Sequence, residues 1–402
     1  MHEEKVITIE KVVFGGKGLS RDLSKVTFVP FTLPGEKVRV RIKKEHRDYL
    51  EAEAREIVEA SAARVSPECR YFGRCGGCQI SHATYETQVR MKKEILEETL
   101  RRSRLELPEI QVITSQPFEY RHRARLKYDA AGKRLGFYEF GSHQIVDIRE
   151  CLCLTPGLNV LLATLRKSLV LSSYRGVLEI DCYENDQGQT AAYFDEKLPA
   201  AAKAELEHCN WIVEAERGKA PPLTLGFRNY EFPMQPDVFL QANPRLWKAM
   251  IQEVESHYPV ALEETAVELY CGAGFFTVPL SRRFKKIIAV EENPVAVKWA
   301  KDHYQETNID WICRKAERFE IPRDVGVVIV DPPRAGLSKN VIQQFRKDAL
   351  RRISYVSCDC SSLARDIRIL SDRFRLSRLT LLDLFPQTFH FETVALLEQI
   401  SS

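Results

Sequence analysis

The spacing of apolar positions changes character twice along the chain. Residues 1 to about 60 alternate apolar and polar side chains in short runs, KVITIEKVVF, KVTFVPFTL and EKVRVRIKK, separated by the turn signals GGKG and LPGE. A period of two puts one set of side chains on a single face, and several such runs with tight turns between them predict a small antiparallel β-barrel. The stretch ATYETQVRMKKEILEETLRRS, residues 83–103, shifts to a helical period and reads as an amphipathic helix whose charge forms a solvated face. Residues 129–235 continue in short strands and one helix. After about residue 236 the apolar stretches become continuous and alternate with helical segments: TAVELYCGAGFFTVPLSRRF, KKIIAVEENPVAVKWAKDHY, VGVVIVDPPRAGL and ISYVSCDCSSLARD. Apolar strands without alternation, followed by turns and helices, predict βαβ units and a parallel sheet. The expected division is 1–60, 61–235 and 236–402.

Bulk properties narrow the class. A chain of 402 residues is too long for one ordinary core, so two or three domains are expected. No apolar run reaches the roughly 18 residues that a membrane helix needs. The opening MHEEKVITIE is neither a signal nor a transit peptide, so a cytoplasmic protein without a membrane partner is expected. Eleven cysteines in a reducing compartment point away from disulfides and toward metal or catalysis. The net charge of +3 means that any nucleic-acid contact must come from local basic patches.

Two segments carry candidate binding chemistry. CRYFGRCGGCQIS begins at Cys69 and spaces three cysteines C-x5-C-x2-C in a glycine-rich loop, which lets thiolates turn toward one centre. A fourth ligand is offered by Cys151 or Cys153 in RECLCLTP, and the spacing leaves an iron–sulfur cluster and zinc equally open. In YRHRARLKY, Arg121, Arg123, Arg125 and Lys127 recur at period two and share one strand face. Four cations on one face repel one another unless a polyanion lies there, so a phosphate-contacting strand is expected, with a solvated protective edge as the alternative.

The C-terminal third carries candidate reaction chemistry. The turn in ELYCGAGFF would let main chain approach a cofactor, and the acidic tip of the next strand could accept hydrogen bonds from a ribose diol. The full G-x-G-x-x-G of dinucleotide binders is missing, which suits S-adenosylmethionine better than NAD. Asp331 ends one strand before two prolines, and Cys358 ends the next. Both therefore belong to the carboxyl edge of the sheet, where ligands bind in open α/β folds. A small buried core residue is the plain alternative for either thiol of the Cys358, Cys360 pair.

VVFGGKGLSR and TFVPFTLPGEKVRVRI resemble the TRAM domain, an OB-like RNA-binding module. ELYCGAGFFTVPLS, VDPPRAGL, YVSCDCSSLARD and LFPQTFHFET, with the barrel and the cysteine cluster, resemble the bacterial RNA (uracil-C5)-methyltransferases that make 5-methyluridine in 23S rRNA or tRNA. The resemblance spans nearly the whole chain. It implies a multidomain α/β protein: an N-terminal OB-like TRAM β-barrel, a central α+β domain with a four-cysteine cluster, and a C-terminal Rossmann-like domain that uses S-adenosylmethionine.

It also implies roles residue by residue. Cys358 matches the family's cysteine nucleophile, Glu392 in the T-x-H-x-E pattern of Thr388 and His390 matches its base, and Asp331 matches an aspartate that contacts cofactor or uracil. Gln241, Tyr270, Gly272 and Glu291 match cofactor-binding positions. Cys69, Cys75 and Cys78, with Cys151 placed by Pro156 five residues on, match the ligands of a [4Fe-4S] cluster, leaving Cys153 as a neighbour. The implied partner is RNA, with rRNA favoured over tRNA, and a monomer is expected. Phe275, Lys315, Cys360 and Gln387 depart from the family's usual residues and leave the cofactor contacts open. Two other classes remain as alternatives: a methyltransferase of exocyclic amines, and a non-catalytic RNA-binding or redox-sensing relative.

Overall fold

The computed structural model describes residues 4–171, 175–195, 212–214 and 223–400. Its N-terminal sheet is closed by one chain segment that pairs twice. Lys5–Thr8 pairs with Lys37–Glu45, and Lys11–Val13 pairs with Lys17–Ser20, which places consecutive residues at both edges of a six-stranded sheet. Ile7, Ile9, Val29, Val38 and Val40 fill the barrel so formed. The expected antiparallel pattern is corrected at one pairing, because Val26–Pro30 runs parallel to Tyr49–Glu59. That strand belongs to a hairpin with Lys37–Glu45, and it meets Val26–Pro30 only after the chain has crossed the barrel.

A second six-stranded sheet runs in the order Ile145–Asp147, Arg134–Tyr138, Arg123–Asp129, Val177–Glu184, Thr190–Phe194, Ile212–Glu214. The helix Pro156–Leu171 covers it with Leu158, Leu161, Leu162, Leu165 and Leu169, all fully buried at helical spacing. The reading of a bare cationic face on the Arg123 strand is corrected here. Val177–Glu184 lies antiparallel to it and sets Glu179 opposite Lys127 and Asp181 opposite Arg125. Arg125 Nε donates to Asp181 Oδ1 at 2.9 Å, Lys127 pairs with Glu179, and Arg123 lies 3.7 Å from Asp181. The strand's own neighbour thus relieves the repulsion that a polyanion was expected to relieve.

The third sheet has eight strands in the order Ile309–Cys313, Phe284–Glu291, Leu262–Leu269, Val327–Val330, Arg352–Ser357, Glu392–Gln399, Phe374–Leu382, Ile110–Ile113. The first five are mutually parallel. Glu392–Gln399 is antiparallel to Arg352–Ser357, so it begins at the edge where its parallel neighbours end. That reversal brings Glu392 to the same edge as Asp331 and Cys358. Ile110–Ile113 joins the far side of this sheet although it precedes the second sheet in sequence.

The helix Tyr85–Arg102 packs its Met91, Ile95, Leu96 and Leu100 into the same core, capped by Thr84. Its charge is not all solvated: Gln88 and Lys92 lie on the buried face, one turn apart. Among the described residues no helix is long and apolar enough to cross a membrane.

Candidate active site

At the carboxyl edge of the eight-stranded sheet lies a cavity of about 530 Å³, in the size class of small-ligand sites. Its wall is made where strands stop. Val327–Val330 gives way to Asp331, Pro332 and Pro333, whose rings forbid further pairing. Arg352–Ser357 gives way to Cys358, and Asp359 then caps the helix Cys360–Leu370 by accepting the N–H groups of Ser361 and Ser362.

Asp331, Cys358 and Glu392 all line this cavity, as do Gln241, Tyr270, Gly272 and Glu291. The seven positions read as catalytic or cofactor-binding therefore meet in one place. Cys360 does not join them: it is 1% exposed, packs in the core, and its thiol lies 3.7 Å from Thr99 Oγ1.

The turn after Leu262–Leu269 is shaped by left-handed main chain at Tyr270, Gly272 and Gly274. A Cβ on Gly274 would come within 2.6 Å of the Trp311 ring, so only glycine fits. Gly272 N–H donates to Glu291 Oε2 at 3.0 Å, and Glu291 Oε1 accepts from Asn293 N–H at 2.8 Å. Glu291 thus ties the two turns together, leaving the remaining lone pairs of its carboxylate for a ligand. Tyr270 donates to Glu317 Oε1 at 3.3 Å.

Gln241 is 5% exposed, and its Nε2 donates to Asp331 Oδ2 at 3.1 Å while its Oε1 has no partner. The next helix is capped by Asn243 and not by Gln241. Glu392, 3% exposed, likewise keeps a buried Oε2 without a partner. Unpaired buried acceptors are uncommon, and two in residues lining one cavity mark a place prepared for donors or cations.

The electrostatics agree. Glu291, Glu292, Glu317, Asp331 and Glu392 line the cavity against one guanidinium, that of Arg334. Burial pushes Asp331 up to about 7. Burial, and then the neighbouring Asp331, hold Glu392 well above the carboxylate range, with Arg334 opposing. The Cys358 thiol is pushed up to about 12 by burial and by Glu392 and Asp331, and Arg334 pulls the other way. His390 falls to about 4 through burial and the cations Arg334, Lys92 and Arg121, so its ring is neutral. An acid-lined cavity suits a cationic sulfonium and disfavours a pyrophosphate.

Two positions flagged as departures sit at the margin. Phe275 packs with Phe232, Trp247 and Phe276 at centroid distances of 5.7, 5.2 and 4.9 Å, as part of the wall behind the turn. Lys315 is exposed and lies 3.4 Å from Glu292 Oε2, outside the lining. Sequence reasoning passed over Phe239, Arg334 and Phe385 as site residues. Arg334 had a signal, since it directly follows the two prolines that end a strand. Phe239 had a weaker one, as a large apolar residue left 67% exposed beside a buried Gln241.

The cysteines gather elsewhere. Cys69, Cys75, Cys78 and Cys151 line one small pocket together with Cys153 and Arg121. Cys78 Sγ is 3.9 Å from Cys153 Sγ, so Cys153 is as much a part of the pocket as the four expected ligands. Among the described residues, no group of three or more His, Cys, Asp or Glu side chains is drawn together tightly enough to hold a metal ion. Five thiols round one pocket are a donor set that zinc and iron–sulfur clusters both accept.

Comparison with known proteins decides the family. The sequence model of the tRNA (uracil-5-)-methyltransferase family matches residues 220–321 and 319–400, and that of the TRAM domain matches 3–54. An RNA methyltransferase of Aquifex aeolicus, described as uncharacterized, is 34% identical over 98% of both chains. The chain belongs to the RNA (uracil-C5)-methyltransferase family. Within that family, the 23S rRNA (uracil(1939)-C(5))-methyltransferase RlmD of Chromohalobacter salexigens is 32% identical over 97% of this chain and 88% of its own. Among solved structures, the Pyrococcus abyssi tRNA (uracil-54, C5)-methyltransferase bound to S-adenosyl-L-homocysteine superposes with a TM-score of 0.77 at 22% identity, covering 98% of this chain and 99% of its own, which establishes the shared fold.

Proposed function

We propose that this enzyme methylates C5 of a specific uridine in 23S rRNA, through a covalent bond between Cys358 and C6 of the base. The observation that carries the mechanism is the convergence of Cys358, Asp331 and Glu392 on one acid-lined cavity. The rRNA substrate is favoured by relatives such as that of Chromohalobacter salexigens, which match along nearly the whole chain; tRNA is the alternative. The TRAM match supports RNA as the partner. The enzyme is read as a cytoplasmic monomer organised as 1–60, 61–235 and 236–402.

Uracil C5 is a weak nucleophile, and the chain's task is to make it a stronger one. Addition of the Cys358 thiolate to C6 places carbanion character on C5. When bound, S-adenosylmethionine supplies an electrophilic methyl group and a positive charge. Gln241, Tyr270, Gly272, Glu291 and Asp331 are the residues read as holding it. Arg334 is the cation of the cavity that favours the Cys358 thiolate and the Glu392 carboxylate. Once C5 carries the methyl group, ionised Glu392 takes the C5 proton, the C5=C6 double bond re-forms, and the Cys358 thiolate leaves. A carboxyl held high by burial is a strong base once ionised, which suits that last step.

Cys69, Cys75, Cys78 and Cys151 are read as the ligands of a [4Fe-4S] cluster, supported by the thiol-lined pocket. Such a cluster would supply a cross-link between the 69–78 loop and Cys151. Serine in place of any of the four should remove the visible absorbance of anaerobically purified protein, whereas Cys153→Ser should keep it; colourless wild-type protein with stoichiometric zinc would replace the cluster by a zinc site. The function itself is tested by mass-spectrometric mapping of 5-methyluridine in rRNA and tRNA from a deletion strain. Loss at one 23S rRNA position is expected. Loss in tRNA alone would change the substrate, and no loss in either would remove the proposal.

A further inference from the structure

Gln387 joins the loop that leads into Glu392 to three other parts of the molecule. Its carbonyl accepts the main-chain N–H groups of Gln79 and Ile80, each at 3.1 Å, directly after Cys78. Its own N–H donates to Gln88 Oε1 at 2.9 Å, and its Oε1 accepts from Gln88 Nε2 at 3.1 Å. Its Nε2 donates to the Pro117 carbonyl at 3.4 Å. One residue earlier, the Pro386 carbonyl accepts from the Tyr120 hydroxyl at 2.9 Å, and that hydroxyl oxygen accepts from Arg121 Nε at 3.3 Å. The Arg121 side chain lines the cysteine pocket.

Every polar group of Gln387 is therefore used, and the residue is 4% exposed. Its main chain is left-handed, with φ of 70°, a conformation that glutamine keeps only where its surroundings over-determine it. On the other side of the same loop the barrel's Phe14 sets its ring edge against Phe389, at 5.3 Å, and Phe391, at 6.3 Å. The run from Cys78 through Gln387 to Glu392 is thus a continuous chain of covalent and hydrogen bonds, and at its junction Gln79, Ile80, Gln88 and Gln387 are buried, where each bond is strong and a lost partner is felt.

We propose that Gln387 is a positioning residue that couples the order of the cysteine loop to the placement of Glu392. Disturbance at Cys75 or Cys78 then reaches the reaction as a defect in removing the C5 proton, not in holding the cofactor. The kinetic half of this inference rests on the role proposed above for Glu392; the coupling between the loops does not.

Hydrogen exchange followed by mass spectrometry on the full chain tests the coupling. In Cys75→Ser, amides of residues 387–392 should exchange about tenfold faster while those of Leu262–Leu269 stay unchanged, and Gln387→Ala should by reciprocity speed residues 75–81. Tyr120→Phe, which removes one hydroxyl and changes no residue of either loop, should speed residues 387–390 as well, and it serves if Cys75→Ser does not fold. Faster exchange confined to the mutated loop, or spread evenly over the chain, would overturn the coupling. In turnover assays Gln387→Ala should lower kcat at least about tenfold, as for loss of a well-placed base, leave the KM for S-adenosylmethionine within about twofold, and accumulate methylated protein–RNA adduct. Gln387→Asn, which tolerates left-handed main chain, should recover part of kcat. Unchanged kcat, or lost turnover without adduct, would overturn the positioning role. Wild-type protein that makes no 5-methyluridine would instead remove the functional reading, with the exchange result standing by itself.

Discussion

Lys92 Nζ donates to Asp383 Oδ1 at 2.6 Å with both side chains closed to solvent, and the same ammonium reaches the Phe385 carbonyl at 3.0 Å. The pair joins the Tyr85–Arg102 helix to the strand end from which the loop toward Glu392 departs. Burial lowers the Lys92 ammonium below its ordinary range, and Asp383 opposes that pull.

Removing one member of such a pair leaves the other buried and uncompensated. Lys92→Met should therefore cost about 3–5 kcal/mol in denaturant-unfolding free energy. Changing Asp383 to Leu in the same chain should return a substantial part of that loss, since two apolar side chains strand no charge. A single variant as stable as wild type would mean that the site is wet.

The two cysteines of the Cys358, Asp359, Cys360 stretch should separate cleanly. Cys358→Ala is expected to abolish methyl transfer while calorimetric binding of S-adenosylmethionine stays close to wild type, because the thiol acts on the base. Cys360→Ala should keep turnover and lose about 1 kcal/mol of stability as a small core truncation. Residual turnover in the first variant would exchange the two roles or remove both.

What was legible in the sequence was what lies near in sequence or recurs with a period. The barrel's alternation, the strand ends at Asp331 and Cys358, and the glycine turn at Gly272 are local patterns, and parallel strands bring their ends to one edge automatically. Glu392 was legible only through its motif, since its place depends on an antiparallel return strand that periodicity does not reveal. Partners far apart in sequence stayed hidden. Lys92 read as a solvated charge because Asp383 is 291 residues away, although Gln88 and Lys92 falling together on the apolar face of the helix was a usable signal. The cations of the Arg123 strand read as an RNA surface because their anions, Glu179 and Asp181, are set opposite them by register more than fifty residues downstream.

Glu268 supplies a pH test. It is 1% exposed, accepts from Thr277 Oγ1 at 2.7 Å, and is pushed up to about 8 by burial, with Asp331 and Glu291 adding to the rise. The folded protein therefore holds this proton more tightly than the unfolded chain, whose carboxyl titrates near 4.5. Stability from this group is present at low pH and falls as pH rises between those two values. Glu268→Gln keeps an acceptor for Thr277 and cannot ionise, so wild type should lose stability relative to the variant from about pH 5 to pH 8. A stability difference that stays flat across that window would mean that Glu268 is ionised in the fold.

Glu392→Gln isolates the last chemical step. If Glu392 removes the C5 proton, the variant still permits attack by Cys358 and methyl transfer, since neither step needs its carboxylate as a base. Elimination alone then stalls, and general-base steps contribute about 100- to 10,000-fold, enough for the intermediate to outlast an ordinary assay. The burial of Glu392 favours this outcome, because burial and Asp331 raise its carboxyl well above the ordinary range, so a neutral amide of the same shape is tolerated there. The expected product is a protein–RNA complex that survives denaturing gel electrophoresis and carries RNA label and methyl label in one band. An inactive variant without adduct would place Glu392 before methyl transfer, and a fully active one would place the base elsewhere in the cavity.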